Sequence, residues 1–528
     1  MNEFENAATI IVIGSNTSSG HPVISLGILR AVQKGASLIV INPVEIGLVK
    51  HAAMWLRQNP GTDVALLMGI ARHIVDAGLA DLEFVQGCCE NFEAFKESLQ
   101  PFDLDSVSRI TGIDKEQIMR ASELYAGNKP SSIIYAMGIT QHSHGTDNVM
   151  AVANLSMLTG NIGKPSTGVN PLRGQNNVQG ACDMGGLPNV YTAYQRVDNP
   201  EVRAKFEKAW VTQLNPKPGL TLMEIMDAAH NGEIRAVYLM GENPVISEPD
   251  MRHTKESLQK LDFLVVQDMF LSETAELAHV VLPAASFAEK DGTFTNTERR
   301  VQRVRKVIEP LHGSHPDWQI LGLVAKKMGA PGFDFNDASA IMEELAILTP
   351  SYGGISYSRI EKCGLQWPCP TPDHPGTPIL HMSRFTCGLG KFIPLKYRPP
   401  AELPDADYPF TLITGRSLFH FHTGTMTRKV NGLNAIEPRC VVTINPQDAA
   451  AIGVRDGDSV ELSSRRGKIT AASRLHRKVA PQVVYMDFHY AESAANVLTN
   501  TALDPIAKIP ELKICAVRVE GAGKNASG

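Results

Sequence analysis

Cysteine is scarce. The 528 residues hold eight, at positions 88, 89, 182, 363, 369, 387, 440 and 515, and no C-x-x-C pair occurs. That excludes a disulfide scaffold and argues against zinc or iron-sulfur ligation within the chain. Long apolar runs are missing as well, none nearing the ~18 residues of a membrane-spanning helix. The opening MNEFENAATI carries acids where a secretory signal carries lysine and arginine, which points to a cytoplasmic chain with no direct membrane insertion. There is no basic excess: 50 Lys and Arg stand against 55 Asp and Glu, a net charge of −5. Nothing therefore calls for a nucleic acid partner, and a small molecule or another protein is expected. The common catalytic fingerprints are absent too. GSNTSSG after the first strand lacks the second glycine of the dinucleotide motif, which disfavours an ordinary nicotinamide dehydrogenase, and no Walker, H-E-x-x-H or G-x-S-x-G pattern occurs.

What is present is the grammar of parallel α/β domains. TIIVIG reads as a buried strand. A helix with Pro22 early and Ile24, Ile28, Leu29 and Val32 on one face follows, with Gly35 past its end, and then the strand SLIVIN. That is a βαβ unit. A second helix opens at NPGTD, where Thr62 or Asp63 can cap and Val64, Leu67, Met68, Ala71 and Ile74 form the stripe. A third opens at Asp114, with Gln117 at capping-box spacing. SSIIYAMG, AVYLMGENP, FLVVQD and HVVLPA are further strands ending in small or polar residues. Residues 350–408 are rich in proline, glycine and cysteine and read as a long irregular connection. Beyond Pro409 come FTLIT, CVVTI, SVELSS, KITAAS and QVVYM, broken by turns, with a short helix at Pro446 to Ile452, a barrel-like β module. The expected domains are 1–175, 176–400 and 401–528.

Ligands of open α/β sheets bind beyond the carboxyl ends of the strands. Candidate edges are Gly14-Ser15-Asn16, Met137-Gly138, Gly241-Glu242-Asn243 and Gln267-Asp268. His142 and His144 in TQHSHGTD are either pocket-lining polar residues or metal ligands. FHFHTGTMTR places His420 and His422 on one face if extended, beside Gly424 and Thr425, with positive charge from Arg428 and Lys429. NPLRGQNNVQGACDMG, residues 170–185, has little to build a core with. A guanidinium grips a small carboxylate through two parallel hydrogen bonds, so Arg173 is a candidate substrate clamp among the uncharged Gln175, Asn176, Asn177 and Gln179. The alternative is a surface loop tied by amide hydrogen bonds.

These residues carry a resemblance. The run from YAMGITQHSHGTDN through RGQNNVQGACDMG to NVYTAYQ resembles the catalytic subunit of molybdenum- or tungsten-dependent formate dehydrogenases, of the dimethyl sulfoxide reductase superfamily. Agreement continues in YLMGENP, VVQDMFLSETAELAHVVLPAASFAEKDGTFTNTERRVQ, GRSLFHFHTGTMTR, RRGKI and PELKICAVRV. The resemblance implies parallel-sheet α/β domains followed by a six-stranded, double-psi-like C-terminal β-barrel. It implies two-electron oxidation of formate to carbon dioxide at Mo or W held by two molybdopterin guanine dinucleotides. Arg173 would orient formate. Gln175, Gly14, Ser15, Asn16, Gly61, Thr62, Asp63, Met137, Gly138, Gly241, Glu242, Asn243, Gln267 and Asp268 would contact the cofactor, with Asp63 or Asp268 accepting from a guanine edge. Arg416, His420, His422, Gly424, Thr425, Asn496 and Lys513 would serve the pterins and phosphates.

Two departures stand out. INPVE at 41–45 replaces the family's aspartate-proline-arginine, which unsettles the role of Asn42. Neither the four-cysteine iron-sulfur domain with which the family begins nor the stretch bearing its selenocysteine or cysteine metal ligand is found within these 528 residues. The expectation is thus the C-terminal portion of such a subunit, inactive and with apolar surface bare until joined to its N-terminal portion. The [4Fe-4S] cluster would lie in that portion, and iron-sulfur or other electron-transfer subunits would be partners. A misread selenocysteine codon, a split gene and a degenerate fragment remain open as origins. The other class of reading is a non-catalytic cofactor-binding or scaffold subunit.

Overall fold

Runs of β-branched residues lose little by adopting extended backbone and pack well on a pleated surface. In the computed structural model, which describes residues 1–382 and 384–522, the two such runs nearest the start become strands Thr9–Ile13 and Ser37–Ile41, buried almost throughout. They belong to a five-stranded sheet ordered Met54–Leu56, Ser37–Ile41, Thr9–Ile13, Ser131–Tyr135, Gly168–Pro171, every neighbouring pair parallel. The helix Pro22–Gln33 makes the crossover between the first two strands of the chain, with Ile24, Ile28 and Ala31 buried. The helix Asp63–Asp76 buries Val64, Leu67, Met68, Ala71 and Ile74, the whole expected stripe. Chain order reverses between Thr9–Ile13 and Ser131–Tyr135, which makes the gap between their carboxyl ends the switch point where such sheets bind ligands.

Helix starts differ from the expected capping. Thr62 occupies the cap position but gives no side-chain cap bond; its hydroxyl donates to the Asn59 carbonyl at 2.7 Å instead. Asp114 caps nothing through its side chain, so the Asp114/Gln117 box does not form.

Six strands, Phe410–Gly415, Val483–Asp487, Val441–Ile444, Lys468–Leu475, Ser459–Ser463 and Cys515–Gly521, close a barrel in that order. Leu412, Val442, Ile444, Val460, Leu462, Val484, Met486 and Val517 fill its core. A third sheet, Ala236–Met240, Phe263–Asp268, Val280–Pro283, is parallel and three-stranded.

By compactness the chain divides into two units. One comprises Met1–Leu172, Ile246–Met251 and Ile379–Gly528, the other Arg173–Val245 and Arg252–Pro378. The α/β sheet and the barrel share the first unit. Their joint is polar: Glu511, wholly buried, accepts from Ser143 N at 3.1 Å and Ser143 Oγ at 2.8 Å. Asp504 accepts from Thr146 N at 2.8 Å and Thr146 Oγ1 at 2.7 Å. Asp504 thereby satisfies an amide at the start of the helix Gly145–Leu158 that the helix itself cannot.

Among the described residues, no helix is long and apolar enough to cross a membrane.

Candidate functional site

In the first unit the switch point is built by two glycines in backbone contact. Gly14 has φ +58°, its carbonyl accepts from Gly138 N at 3.0 Å, and a Cβ on Gly138 would lie 2.5 Å from Gly14 O. Only residues without side chains allow this approach. Ser15 is buried with its hydroxyl 2.9 Å from that of Thr17, and the Asn16 side chain accepts from Ser18 Oγ at 3.2 Å. Met137 is partly exposed. Gly61, at φ +76°, lies against Pro400 and Ile514. Asp63 is buried and accepts from Gln58 Nε2 at 3.0 Å, and burial pushes its pKa up to about 6. Lys513 N donates to Gln141 O at 3.4 Å, so the segments at 14–16, 61–63, 137–144 and 513 converge.

The barrel contributes the positive charge. Lys513 Nζ donates to Thr414 O at 3.0 Å, and desolvation lowers its pKa to about 8 against the pull of Asp487. Burial lowers Arg416 also; its Nε is buried without a hydrogen-bond partner, and its Nη1 lies 3.6 Å from where a Cβ on Gly20 would sit. Tyr485 Oη accepts from Arg416 N at 3.2 Å and lies 3.1 Å from Asp487 Oδ1. Asp487 is raised to about 6, first by burial.

The FHFHTGTMTR segment is not extended. His422 has φ +49° and its ring meets Phe488 edge-on at 5.6 Å, so the shared face expected of His420 and His422 is replaced by a turn. His420 is satisfied inside the protein, one ring nitrogen 3.2 Å from Thr427 Oγ1 and the other 3.1 Å from Glu437 O. Gly424, at φ +74°, lies against His489 and Arg428, and Thr425 Oγ1 is 2.8 Å from Thr423 Oγ1. Arg428 pairs with Glu492 at 2.6 Å. Asn496, expected at the cofactor, donates to Ile246 O and Ser247 O at 2.8 and 2.9 Å. Asn42 holds a local turn, accepting from Val44 N at 3.0 Å.

Three histidines add what sequence reasoning weighed too lightly. His142 and His144 are buried, their rings 5.4 Å apart and stacked. His142 Nε2 lies 2.7 Å from Gly138 O. His489 packs 4.8 Å from His420 and 4.1 Å from Tyr490. His142 Nδ1 and both ring nitrogens of His144 and His489 are buried without hydrogen-bond partners. Burial lowers His142 and His489 to about 3. Buried polar atoms left unpaired in a chain are costly; a neutral imidazole has one donor and one acceptor nitrogen, so they fit a bound group that brings both acceptors and donors, as the phosphates and guanines of a dinucleotide do. The signal available in the sequence was the H-x-H spacing. Nothing local marked His489.

These pKa values predict an acid response. The unfolded chain binds protons at His142 and His489 below its ordinary value of 6.5, while the folded chain refuses them down to about 3. The stability that neutral histidine confers is therefore present above pH 6.5 and lost as pH falls. Asp63 and Asp487 act oppositely, but only from about 6 downward. The melting temperature of the ligand-free chain should start to fall near pH 6.5, and H142Q and H489Q should each flatten that fall in a calorimetric pH series.

In the second unit the Ala236–Met240 and Phe263–Asp268 strands bring Gly241–Asn243 and Gln267–Asp268 together, Gly241 N donating to Gln267 O at 2.9 Å. Gln267 is spent internally, accepting from Tyr238 Oη at 2.5 Å and donating to Asp317 at 2.8 Å. Asp268 accepts from Met269 N at 2.6 Å and is raised chiefly by burial. Asn243 donates to Glu273 at 2.7 Å and accepts from Thr274 Oγ1 at 2.7 Å; Glu242 Oε1 accepts from Asn243 N at 3.3 Å.

The 170–185 segment lies mostly here and is not merely loop: Val178–Asp183 is helical. Arg173 and Gln175 are half-buried. Arg173 N donates to Thr297 Oγ1 at 3.1 Å and its Nε to Gln179 Oε1 at 2.9 Å. Asn177 accepts from Thr295 N at 2.9 Å, and Gly180 gives it room, since a Cβ there would lie 2.2 Å from Asn177 Oδ1. Amide hydrogen bonds do tie the segment, as the plainer reading held, and they also orient the arginine.

The chain matches the family described as "Molybdopterin oxidoreductase" over residues 1–327, and "Molydopterin dinucleotide binding domain" over residues 410–516. It is 49% identical over 521 residues to "F420-dependent formate dehydrogenase subunit alpha" of Methanocaldococcus jannaschii, spanning 98% of this chain and 77% of that protein. To "Formate dehydrogenase H" of Escherichia coli it is 37% identical, spanning 98% of this chain and 74% of that one. Among solved structures, "Acetylene Hydratase from Pelobacter acetylenicus" superposes with a TM-score of 0.79 at 20% identity, covering 98% of this chain and 78% of the other. At that identity the likeness concerns the fold.

Proposed function

Because the chain belongs to the molybdopterin oxidoreductase family, among the formate dehydrogenase catalytic subunits of the dimethyl sulfoxide reductase superfamily, we propose that it oxidises formate to carbon dioxide with Arg173 as the substrate clamp. The observation that supports this most is the intact RGQNNVQGACDMG segment, in which a neutral amide receives the guanidinium Nε–H. Such a partner fixes the direction of the guanidinium and adds no charge of its own.

The cofactor we assign is a pair of molybdopterin guanine dinucleotides carrying Mo or W, and when bound it supplies the two-electron acceptor. Lys513 and Arg416 would hold its phosphates. His144 and His489, with their unpaired ring nitrogens, would donate to its polar atoms. The glycine edges at 14 and 138 would let it approach the backbone. A bound carboxylate draws two parallel N–H donors from a guanidinium, and positive charge in a water-poor site favours the anion over neutral competitors. Electrons would leave through iron-sulfur or other electron-transfer subunits. The Methanocaldococcus relative is named as F420-dependent, which makes coenzyme F420 the acceptor to try first.

The test is conversion of ¹³C-formate to ¹³CO2 by enzyme carrying stoichiometric pterin and metal, followed by mass spectrometry. Labelled carbon dioxide supports the assignment. Full cofactor occupancy without product, both in this chain alone and in the chain joined to the expected N-terminal portion, would favour a non-catalytic cofactor-binding subunit.

Lys513 offers a check independent of turnover. A lysine whose pKa burial lowers to about 8 costs stability, and methionine of similar length should relieve it. K513M is expected to melt about 2 to 4 °C higher without cofactor, yet to retain less pterin after gel filtration, read by fluorescence of the extracted pterin.

A further inference from the structure

Asp183 is wholly buried and its carboxylate is filled. Oδ1 accepts from Gln179 Nε2 at 2.8 Å and Tyr194 Oη at 3.2 Å. Oδ2 accepts from Tyr352 Oη at 2.6 Å and Trp367 Nε1 at 2.7 Å. Four donors match the roughly four lone-pair sites of an ionised carboxylate. Burial raises its pKa and these donors draw it back. The assembly is held from several sides. Tyr194 reaches it from consecutive non-glycine residues in left-handed backbone, Ala193 at φ +51° and Tyr194 at φ +62°, a strained arrangement that surrounding contacts must over-determine. Arg299 lies over the Trp367 ring at 5.5 Å and donates to the carbonyl of Trp367.

The filled acid decides which way Gln179 faces. Its NH2 group must point at Asp183 and at Tyr194 Oη, 2.9 Å away, so its carbonyl must point the other way, at Arg173 Nε, 2.9 Å away. We propose that Gln179 and Asp183 are positioning residues for Arg173: the acid orients the amide, and the amide takes the Nε–H, so that the guanidinium is held in one direction toward the anion. The inference rests on the clamp reading of Arg173. It also accounts for the amide. An acid bonded directly to the Nε–H would hold the same geometry but draw more on the charge that formate needs than an acid one amide removed does.

The hydrogen bonds can be preserved with the groups exchanged. In the double variant Q179E/D183N, the carboxylate introduced at position 179 accepts from Arg173. The amide introduced at position 183 donates its N–H to that carboxylate, while its oxygen still accepts from Tyr352 and Trp367. Each single change instead sets donor against donor or acid against acid. In the holoenzyme, Q179M, Q179E and D183N are each expected to raise KM for formate about tenfold, with kcat falling less. Each should weaken calorimetric binding of nitrate, a planar anion the enzyme cannot oxidise, by a similar factor. The Q179E/D183N double variant should recover part of that loss, the remainder being what its acid, now directly on Arg173, takes from the attraction for the anion. In an R173A background, Q179M should have no further effect on nitrate binding. The relay is overturned if Q179M weakens nitrate binding equally with and without Arg173, or if the exchanged pair binds no better than its single variants. If R173A alone leaves nitrate binding and the formate KM unchanged, the clamp reading itself fails, and the relay with it.

Discussion

Alanine at position 173 is expected to lower kcat/KM for formate by about three orders of magnitude. Each hydrogen bond to a charged group contributes roughly 1.5 to 3 kcal/mol, and losing a bidentate pair therefore removes about 4 kcal/mol, close to a thousandfold. Lysine should recover little of it. An ammonium carries the charge but neither the planar fork nor an Nε–H for Gln179 Oε1, 2.9 Å from the present nitrogen. The measurement is steady-state kinetics of R173A and R173K at equal cofactor content, with pterin and metal quantified in each preparation. A fall below tenfold in R173A at full occupancy would remove Arg173 from the site.

The second large effect concerns the fold. In G138A the new methyl would stand 2.5 Å from Gly14 O and 2.7 Å from Gly14 Cα. Backbone on both sides cannot swing away as a flexible side chain would, so the sheet must open at its switch point. Overpacking of ordinary core sites costs about 1 to 3 kcal/mol, and this site belongs at or beyond the upper end, an expected loss of about 6 °C or more in melting temperature. G14A meets Gly138 C at 2.8 Å and in addition places a side chain at φ +58°. G127A is the control: a helix position with nothing within 4 Å of the added atom should be neutral or slightly stabilising. Calorimetry of the three variants separates close backbone approach from the general effect of adding a methyl group.

The elements were legible where local physics sufficed. TIIVI and SLIVI are β-branched runs, and the Val64, Leu67, Met68, Ala71 and Ile74 stripe repeats with a helical period; both were realised. The barrel strands were visible between their turns, such as Gly457 at φ +84°. Caps were less legible, because Thr62 finds a carbonyl partner nearer than the helix amides. The grouping of elements was not legible: the barrel joins the first sheet through Glu511 and Asp504, bonded to residues more than three hundred positions away. In the 170–185 segment, Arg173 and its amides drew attention by composition alone, but Asp183 read as one acid among polar neighbours. Its importance comes from Tyr352 and Trp367, 169 and 184 positions along the chain, and no periodicity links such partners. FHFHTGTMTR misled because alternation implies extended backbone only when no residue takes a left-handed turn, and His422 does.

The carboxylates of Glu511 and Asp504 have one more implication. Ser143 and Thr146 emerge from the ribosome long before the acids 368 and 358 positions later that receive their hydrogen bonds. At ~5 to 20 residues per second, translation leaves that gap open for on the order of tens of seconds. Before those acids arrive, the Arg173–Val245 and Arg252–Pro378 segments have been synthesised in full. Vectorial synthesis therefore gives the middle of the polypeptide time to mature before these hydrogen bonds close.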